Sequence, residues 1–170
     1  NSFVFMPVFG LNNGVIPIMA YNYGAQKRSR MTKTIRVSLC YASAFMLLGT
    51  VIFLTVPQVL LGFFNASETM LAIGVPALRI ISLSFLFAGY CIIVGSVFQA
   101  LGNGVYSLII SVARQLVCIL PLAWFFARTF GLHAVWLSLP LAEITSVVLS
   151  SILFRKIYLD KIKPLGQAAA

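Results

Sequence analysis

The chain has 170 residues, of which 61% are hydrophobic and only 9% are charged. A soluble globular domain carries about 25% charged residues, so this composition excludes the soluble class and predicts an integral membrane protein. The formal net charge of +9 does not indicate nucleic-acid binding, because the basic residues flank apolar stretches instead of forming a surface patch.

Five apolar stretches are long enough to cross a bilayer, which takes about 20 mostly apolar residues per helix. The predicted fold class is therefore all-α, a polytopic membrane protein with helices over residues 3–21, 37–61, 72–100, 105–127 and 133–154. Gly102-Asn103-Gly104 predicts a tight turn, because glycine tolerates positive φ. Residues 1–158 are predicted to form the membrane domain, and residues 159–170 a cytoplasmic basic tail.

The basic residues predict the orientation. Five lie between the first two helices and four lie near the C-terminus: Lys27, Arg28, Arg30, Lys33, Arg36, Arg155, Lys156, Lys161 and Lys163. Of the five crossings, four separate the two clusters, which puts both clusters on one side, and the positive-inside rule assigns that side to the cytoplasm. We therefore expect a multi-pass protein of the cytoplasmic (inner) membrane with a cytoplasmic C-terminus. The start at Asn1, inside an apolar stretch, favours the C-terminal part of a longer protein over a complete small membrane protein.

Polar residues in the first and third helices are candidates for a polar interior. Asn12 and Asn13 are adjacent and point about 100° apart, so at most one amide readily faces lipid. The other is predicted to line a cavity or to bond to a neighbouring helix. Gln99 is predicted to cap its helix or to line the inner mouth of that cavity. The spacing Gly10-x-x-x-Gly14 permits close helix approach, although ordinary packing explains it equally well.

Two opposite charges lie deep in the membrane. Arg114 is about 14 Å from the inner end of its helix and Glu143 about 15 Å from the outer end of the next, at 1.5 Å per residue. Both are therefore near the midplane of a core about 30 Å thick, and a short turn makes the two helices antiparallel neighbours. An ion pair is allowed, either as a coupling or gating pair or as a structural lock. Gln115 adds polarity beside Arg114.

Four stretches resemble one transporter family. They are PIMAYNYGAQKRSR (Pro17 to Arg30), FQALGNG (Phe98 to Gly104), SVARQLVCILPLAWFF (Ser111 to Phe126) and GLHAVWLSLPLAE (Gly131 to Glu143). In order and spacing they are similar to helices eight to twelve of the multidrug and toxic compound extrusion (MATE) family. The resemblance covers nearly the whole chain.

The resemblance implies most of the C-terminal lobe of a twelve-helix, two-lobed antiporter, with the N-terminal lobe absent from this sequence. Such proteins exchange small organic, aromatic cations for protons or sodium by alternating access. The family's coupling acids lie in the N-terminal lobe or in helices seven and ten. The third predicted helix, the counterpart of helix ten, carries no Asp or Glu. No ion site is therefore carried over to this chain.

The resulting hypothesis is a cation-coupled multidrug antiporter, not an enzyme, with no cofactor or metal site and with the bilayer and the N-terminal lobe as partners. The candidate cavity or coupling residues are Asn12, Asn13, Gln99, Arg114, Gln115 and Glu143. Protonation of Glu143 during the cycle is a further expectation. Aromatic or apolar cavity residues, packing on flat cations, are sought among Phe5, Met6, Phe9 and Phe98. A lipid-linked oligosaccharide flippase and a non-transporting scaffold subunit stay open as alternatives.

Overall fold

The computed structural model describes residues 2–63 and 67–166, and the regular elements in these ranges are all helical. The α-helices are α1 (Ser2–Gly24), α2 (Arg28–Thr55), α3 (Pro57–Gly62), α4 (Glu68–Ser82), α5 (Phe85–Ala100), α6 (Gly104–Val112), α7 (Leu120–Thr129), α8 (Leu132–Val135) and α9 (Ser138–Ile157). Two π-helices, π1 (Ala113–Ile119) and π2 (Tyr158–Ile162), continue α6 and α9 respectively. The predicted all-α class is confirmed.

Four segments are long and apolar enough to cross a membrane, namely Val4–Gly24, Arg28–Thr55, Gly104–Thr129 and Ser138–Ile162. The pair α4 and α5 meets the same criteria together but is bent by 49°, and it is the fifth segment if the two helices cross as one broken span. These five segments follow the order of the five predicted helices. Four of the predicted helices are interrupted where the sequence predicted continuous ones: at Val56, at the α4–α5 bend, at π1, and between α8 and α9.

The second span differs most from its predicted bounds of 37–61. Helix α2 already begins at Arg28, because arginine and lysine are good helix formers whose long side chains reach the membrane surface from inside a helix. It ends at Thr55, and Val56 has φ −127° and ψ 42°. Pro57 explains that end, since its ring disfavours the helical conformation in the preceding residue and its nitrogen donates no hydrogen bond. The short helix α3 then starts at Pro57.

The C-terminal segment is folded as far as Gly166, although the sequence predicts a basic tail over residues 159–170. Helix α9 continues through π2, where Ile162 is fully buried, and Leu165 is 5% exposed. The Lys161 Nζ atom donates a hydrogen bond of 3.2 Å to the Leu101 carbonyl oxygen. Apolar residues between the lysines therefore dock this segment against the end of α5. The last four residues of the predicted tail lie outside the described residues.

Helix α5 is the centre of the bundle and contacts α1, α2, α6 and α9. Nine of its 16 residues are buried, and none of the 16 is charged. A helix that is apolar on all sides is stable only when neighbouring helices surround it. These four helices consequently turn one face to α5, while large apolar side chains such as those of Leu48, Leu108 and Val148 point outward, as expected for contact with lipid.

Close helix approach occurs at glycines that sequence spacing did not reveal. A Cβ atom at Gly49 would collide with the Val4 side chain of α1, and one at Gly89 would lie 2.8 Å from Cγ of Met46. By contrast, no atom of the described chain lies within 4 Å of a Cβ placed at Gly10 or Gly14. The Gly10-x-x-x-Gly14 spacing therefore marks no helix contact within the described residues, and the small residues that matter for packing line α2 and α5.

The predicted turn after the third span forms as expected. Gly102 has φ +74°, which glycine adopts without steric cost. The Asn103 amide donates a 2.7 Å hydrogen bond to the Phe98 carbonyl oxygen, and the Gly102 amide bonds to that of Gln99. These two bonds satisfy carbonyl groups that the end of α5 would otherwise leave unpaired. The turn makes α5 and α6 antiparallel neighbours, which brings their side chains to one cavity.

Candidate functional site

Arg114 and Glu143 form an ion pair between π1 and α9. The Arg114 Nη1 atom donates a 2.7 Å hydrogen bond to Glu143 Oε1, and this is the one salt bridge found in residues 2–63 and 67–166. The two side chains differ in exposure, 34% for arginine and 10% for glutamate. The carboxylate is thus enclosed by protein, while the guanidinium extends from it to an open space. The short turn between the two spans produces the pairing that the sequence allowed.

One oxygen of the buried carboxylate has no partner. Glu143 Oε2 is inaccessible and accepts no hydrogen bond from the described residues. An ionised carboxylate in a buried site is normally satisfied at both oxygens, because an unpaired one loses its hydration without compensation. The second oxygen is therefore the atom where a proton or a cation would add. Arg114 alone balances the charge of this carboxylate within the described ranges.

A cavity of about 390 Å³ lies beside the pair. Its walls come from α1, α5, α6, π1 and α9, and its lining residues are Phe5, Phe9, Asn12, Cys91, Ile92, Gly95, Gln99, Ser107, Ile110, Ser111, Arg114 and Ser146. Arg114 contributes a guanidinium to the lining, and Phe5 and Phe9 contribute two phenyl rings from α1. Glu143 does not line the cavity but reaches it through Arg114. Six of the twelve lining residues are polar or charged, so the cavity combines apolar surface with an unusually polar lining for a membrane interior.

Three of the six predicted site residues line this cavity, namely Asn12, Gln99 and Arg114. The Asn12 Oδ1 atom is inaccessible and has no hydrogen-bond partner in the described part of the chain. Asn13 and Gln115 are exposed and lie outside the cavity lining. The argument that only one of two adjacent amides faces the interior thus selects Asn12. Gln115 points away because it follows Arg114 on the same helical turn.

The aromatic candidates divide in the same way. Phe5 and Phe9 line the cavity, with ring centroids 6.3 Å apart. Met6 is 64% exposed, whereas Phe98 is fully buried in the core, where its ring packs at 5.9 Å against that of Tyr106. Spacing explains the selection, since residues four apart on a helix share a face. The two rings therefore form one apolar surface in the same cavity as the guanidinium.

Sequence reasoning missed the small polar residues of the cavity. Ser107, Ser111 and Arg114 have spacings of four and three, which place them on one face of α6 and π1. That spacing can be read from the sequence and would have placed the two serines on the same helix face as Arg114. Ser107 Oγ also donates a 2.9 Å hydrogen bond to the Gly95 carbonyl oxygen, which joins α6 to α5. No group of three or more His, Cys, Asp or Glu residues arranged for a metal ion is found among the described residues.

The fold and this cavity define a polytopic helical membrane protein with a charged, partly open interior site. Comparison with known proteins names its family. The MatE family model matches residues 1–125. The chain belongs to the MatE family.

The relatives share this membership at low identity. The multidrug export protein MepA of Staphylococcus haemolyticus is 27% identical over 136 residues, which cover 80% of this chain and 30% of MepA. MepA of Staphylococcus saprophyticus is 28% identical over the same length, again 30% of its own chain. The chain thus spans about a third of the length of these relatives.

Solved structures show the same fold. The MATE multidrug transporter DinF-BH superposes with a TM-score of 0.83 and 31% identity over 95% of this chain and 36% of its own. An inward-facing multidrug resistance MATE transporter of the MOP superfamily superposes with a TM-score of 0.84 over 99% of this chain and 39% of its own. At 20% identity the second likeness shows the fold alone. The expected resemblance is confirmed at the level of family and fold.

Proposed function

We propose that the chain is part of a cation-coupled multidrug antiporter that exports cationic, aromatic compounds across the cytoplasmic membrane. The observation that carries the proposal is the Arg114–Glu143 pair at the edge of a cavity with an aromatic wall. A buried ionisable group in a membrane span is costly and is typical of ion and substrate pathways. Membership of the family of multidrug export protein MepA supports the same conclusion.

The pair provides a physical basis for exchange. While Glu143 is ionised, it neutralises Arg114, and the cavity presents little net charge to a cationic substrate. A proton on Glu143 would leave the guanidinium uncompensated beside the cavity. Two like charges about 8 Å apart repel by about 2 kcal/mol at an effective dielectric constant of about 20, or roughly 30-fold in affinity. Proton and drug would therefore exclude each other, and this linkage acts in both directions.

The apolar surface of Phe5 and Phe9 fits the substrate class. Flat aromatic cations pack on such rings, and the attraction grows where water is excluded. Alternating access would come from rocking of this lobe against the rest of the transporter, as in other two-lobed carriers. The proposed orientation has the C-terminus in the cytoplasm, supported by the basic residues at one end of the bundle, such as Arg28, Lys33 and Lys161. Sodium at the free carboxylate oxygen is the alternative coupling ion.

Ethidium efflux by the intact protein, measured as a function of pH, tests the proposal. Glu143→Gln keeps the size of the side chain but cannot ionise, so we expect at least about a tenfold loss of efflux and a flat pH profile. Glu68→Gln is the matched control, because Glu68 is exposed at the start of α4, and its efflux should be unchanged.

Two outcomes contradict the proposal at different levels. An unchanged pH profile in Glu143→Gln excludes a proton role for this residue. Efflux that persists after both the proton and the sodium gradients are collapsed excludes antiport altogether. Collapse of one gradient at a time identifies the coupling ion.

A further inference from the structure

A second cavity, of about 480 Å³, lies between α1 and α2. None of the residues that line it lines the first cavity. Its α1 wall includes Leu11, Val15 and Ile18, which lie on one face of that helix, and its α2 wall includes Val37. These side chains make the greater part of the groove apolar. From Leu11 to Tyr21 the groove extends about 15 Å along the helix axis, roughly half of a hydrocarbon core.

The end of the groove near the α1–α2 turn is cationic. Arg30 and Lys33 line it there, within the first two turns of α2. The hydroxyls of Thr34 and Ser38 are occupied, because they donate hydrogen bonds of 2.9 and 2.8 Å to the carbonyl oxygens of Arg30 and Thr34. The charged donors left for a ligand at this end are therefore Arg30 and Lys33, beside the neutral side chains of Tyr21 and Asn22. Tyr21, which is 72% exposed, lies at the level where tyrosine is enriched in membrane proteins.

No carboxylate neutralises these two cations within the described residues. The chain has three acidic residues, Glu68, Glu143 and Asp160, and only Glu143 forms a salt bridge in those ranges. An unpaired guanidinium and an ammonium within one turn attract an anion, and they do so most strongly at a membrane surface of low dielectric constant. The ligand must then combine an anionic head with an apolar stem of about the length of one leaflet.

We propose that this groove binds an anionic phospholipid, with the headgroup phosphate between Arg30 and Lys33 and an acyl chain along Leu11, Val15 and Ile18. Basic pockets between spans on one side of a membrane bind anionic headgroups through the same chemistry. The lipid bridges the two helices of the α1–α2 hairpin, since each helix provides one wall. The site does not depend on the proposed transport reaction.

Native mass spectrometry of the intact protein, titrated with phosphatidylglycerol and with phosphatidylcholine of the same acyl chains, tests the proposal. Phosphatidylglycerol should bind more tightly, and Arg30→Gln/Lys33→Gln should weaken it about 30-fold. Arg28→Gln/Arg36→Gln is the matched control, because it removes the same charge at the same end of α2 from residues that do not line the groove. It should weaken binding by less than about threefold.

A second variant tests the apolar half. Val37→Trp fills the groove with both cations in place, so it should abolish phosphatidylglycerol binding while the protein keeps its thermal unfolding temperature. Equal weakening by both charge variants, or equal binding of the two lipids, overturns the proposal. Full competition by millimolar inorganic phosphate would indicate a site for a free anion and would also overturn it. Absence of lipid binding would mean that other protein segments occupy the groove, with the same consequence.

Discussion

The third and fourth spans both depart from a continuous α-helix in their middle, and they do so in opposite ways. The third span bends by 49° between α4 and α5, where Ser82 and Ser84 are buried and Leu83 is exposed. Hydroxyl groups satisfy the backbone there. Ser84 Oγ donates a 2.6 Å hydrogen bond to the Ile81 carbonyl oxygen, Ser82 Oγ bonds to that of Arg79 at 2.8 Å, and Thr50 Oγ1 reaches that of Ser82 at 3.1 Å. The corner is therefore fixed from two helices at once.

The fourth span contains π1, and none of the seven residues of π1 is buried. The Leu120 amide bonds to the Gln115 carbonyl oxygen five residues earlier, the spacing of a π-helix. Pro121 follows directly and donates no backbone hydrogen bond, which accounts for a widened helix at this point. No side-chain hydroxyl within the described residues bonds to the π1 carbonyl groups. The Arg114–Glu143 pair is the polar side-chain link from π1 to α9.

This difference indicates a structural role for the α4–α5 corner, whereas π1 is suited to a functional role. Broken helices are tolerated in membranes only where the freed backbone groups find partners. Hydroxyl groups at the α4–α5 corner do not titrate, so that bend is the same at any pH. The link from π1 to α9 consists of two ionisable groups, so its strength depends on the charge of Glu143. π-Helical turns inside α-helices are frequent at functional sites.

The largest expected effect comes from a double-mutant cycle at the pair. Arg114→Met alone leaves a buried carboxylate uncompensated, which costs about 3 kcal/mol, near the low end for such sites because the arginine is partly exposed. Arg114→Met/Glu143→Leu removes both charges and should restore most of that stability. Transport should nevertheless be lost in both variants. Thermal unfolding in detergent and ethidium efflux measure the two quantities on the same preparations.

The cycle distinguishes a coupling pair from a structural lock. A lock predicts that the double variant regains efflux together with stability, since apolar packing replaces the charges. Recovered efflux would therefore show that π1 and the α4–α5 corner do not differ in function. Met and Leu keep the side-chain volume close to the original, which limits effects from a cavity left behind.

The α4–α5 corner should respond in stability alone. Ser82→Ala/Ser84→Ala removes two hydroxyl donors from a buried corner, at about 1 kcal/mol for each hydrogen bond. We expect a loss of about 2 kcal/mol with efflux per folded molecule unchanged. Ser29→Ala/Ser43→Ala removes two hydroxyls from the continuous helix α2 and should change stability by less than about 0.5 kcal/mol. Efflux that falls while the fold is intact would make this corner a moving part as well.

Sequence predicts these two spans unequally well. Composition and the bilayer thickness were enough for the all-α class and for the number of spans, because the cost of burying charge in lipid dominates. The depths estimated from the sequence also allowed an Arg114–Glu143 pair, which the structure forms. The sequence did not predict the corner at Ser82 and Ser84, since serines that bond to their own backbone occur in many helices and do not by themselves show where a helix breaks.

The second limit of the sequence-based prediction was the direction in which each side chain points. A helical period of 3.6 separates adjacent residues, so Asn12 and Asn13 cannot share a face, but the sequence does not say which one faces inward. Contacts with α5 and α6 decide that, and they depend on packing over the whole bundle. Phe98 illustrates the same limit, because it fills the core beneath the cavity instead of lining it. The groove between α1 and α2 also arises only when two separate helix faces meet.

The smallest expected effect comes from substitution of Gln115. It tests whether the role of π1 depends on Arg114 or on the whole π-helical segment. Gln115 directly follows Arg114 but is exposed and does not line the cavity. Gln115→Leu should leave efflux within about twofold and stability within about 0.5 kcal/mol of the original protein, as surface substitutions usually do. Arg114→Gln, one position earlier, should reduce efflux at least about tenfold, because it removes the charge that balances Glu143. Comparable losses in the two variants would mean that the π-helix backbone, and not the ion pair, is what transport requires.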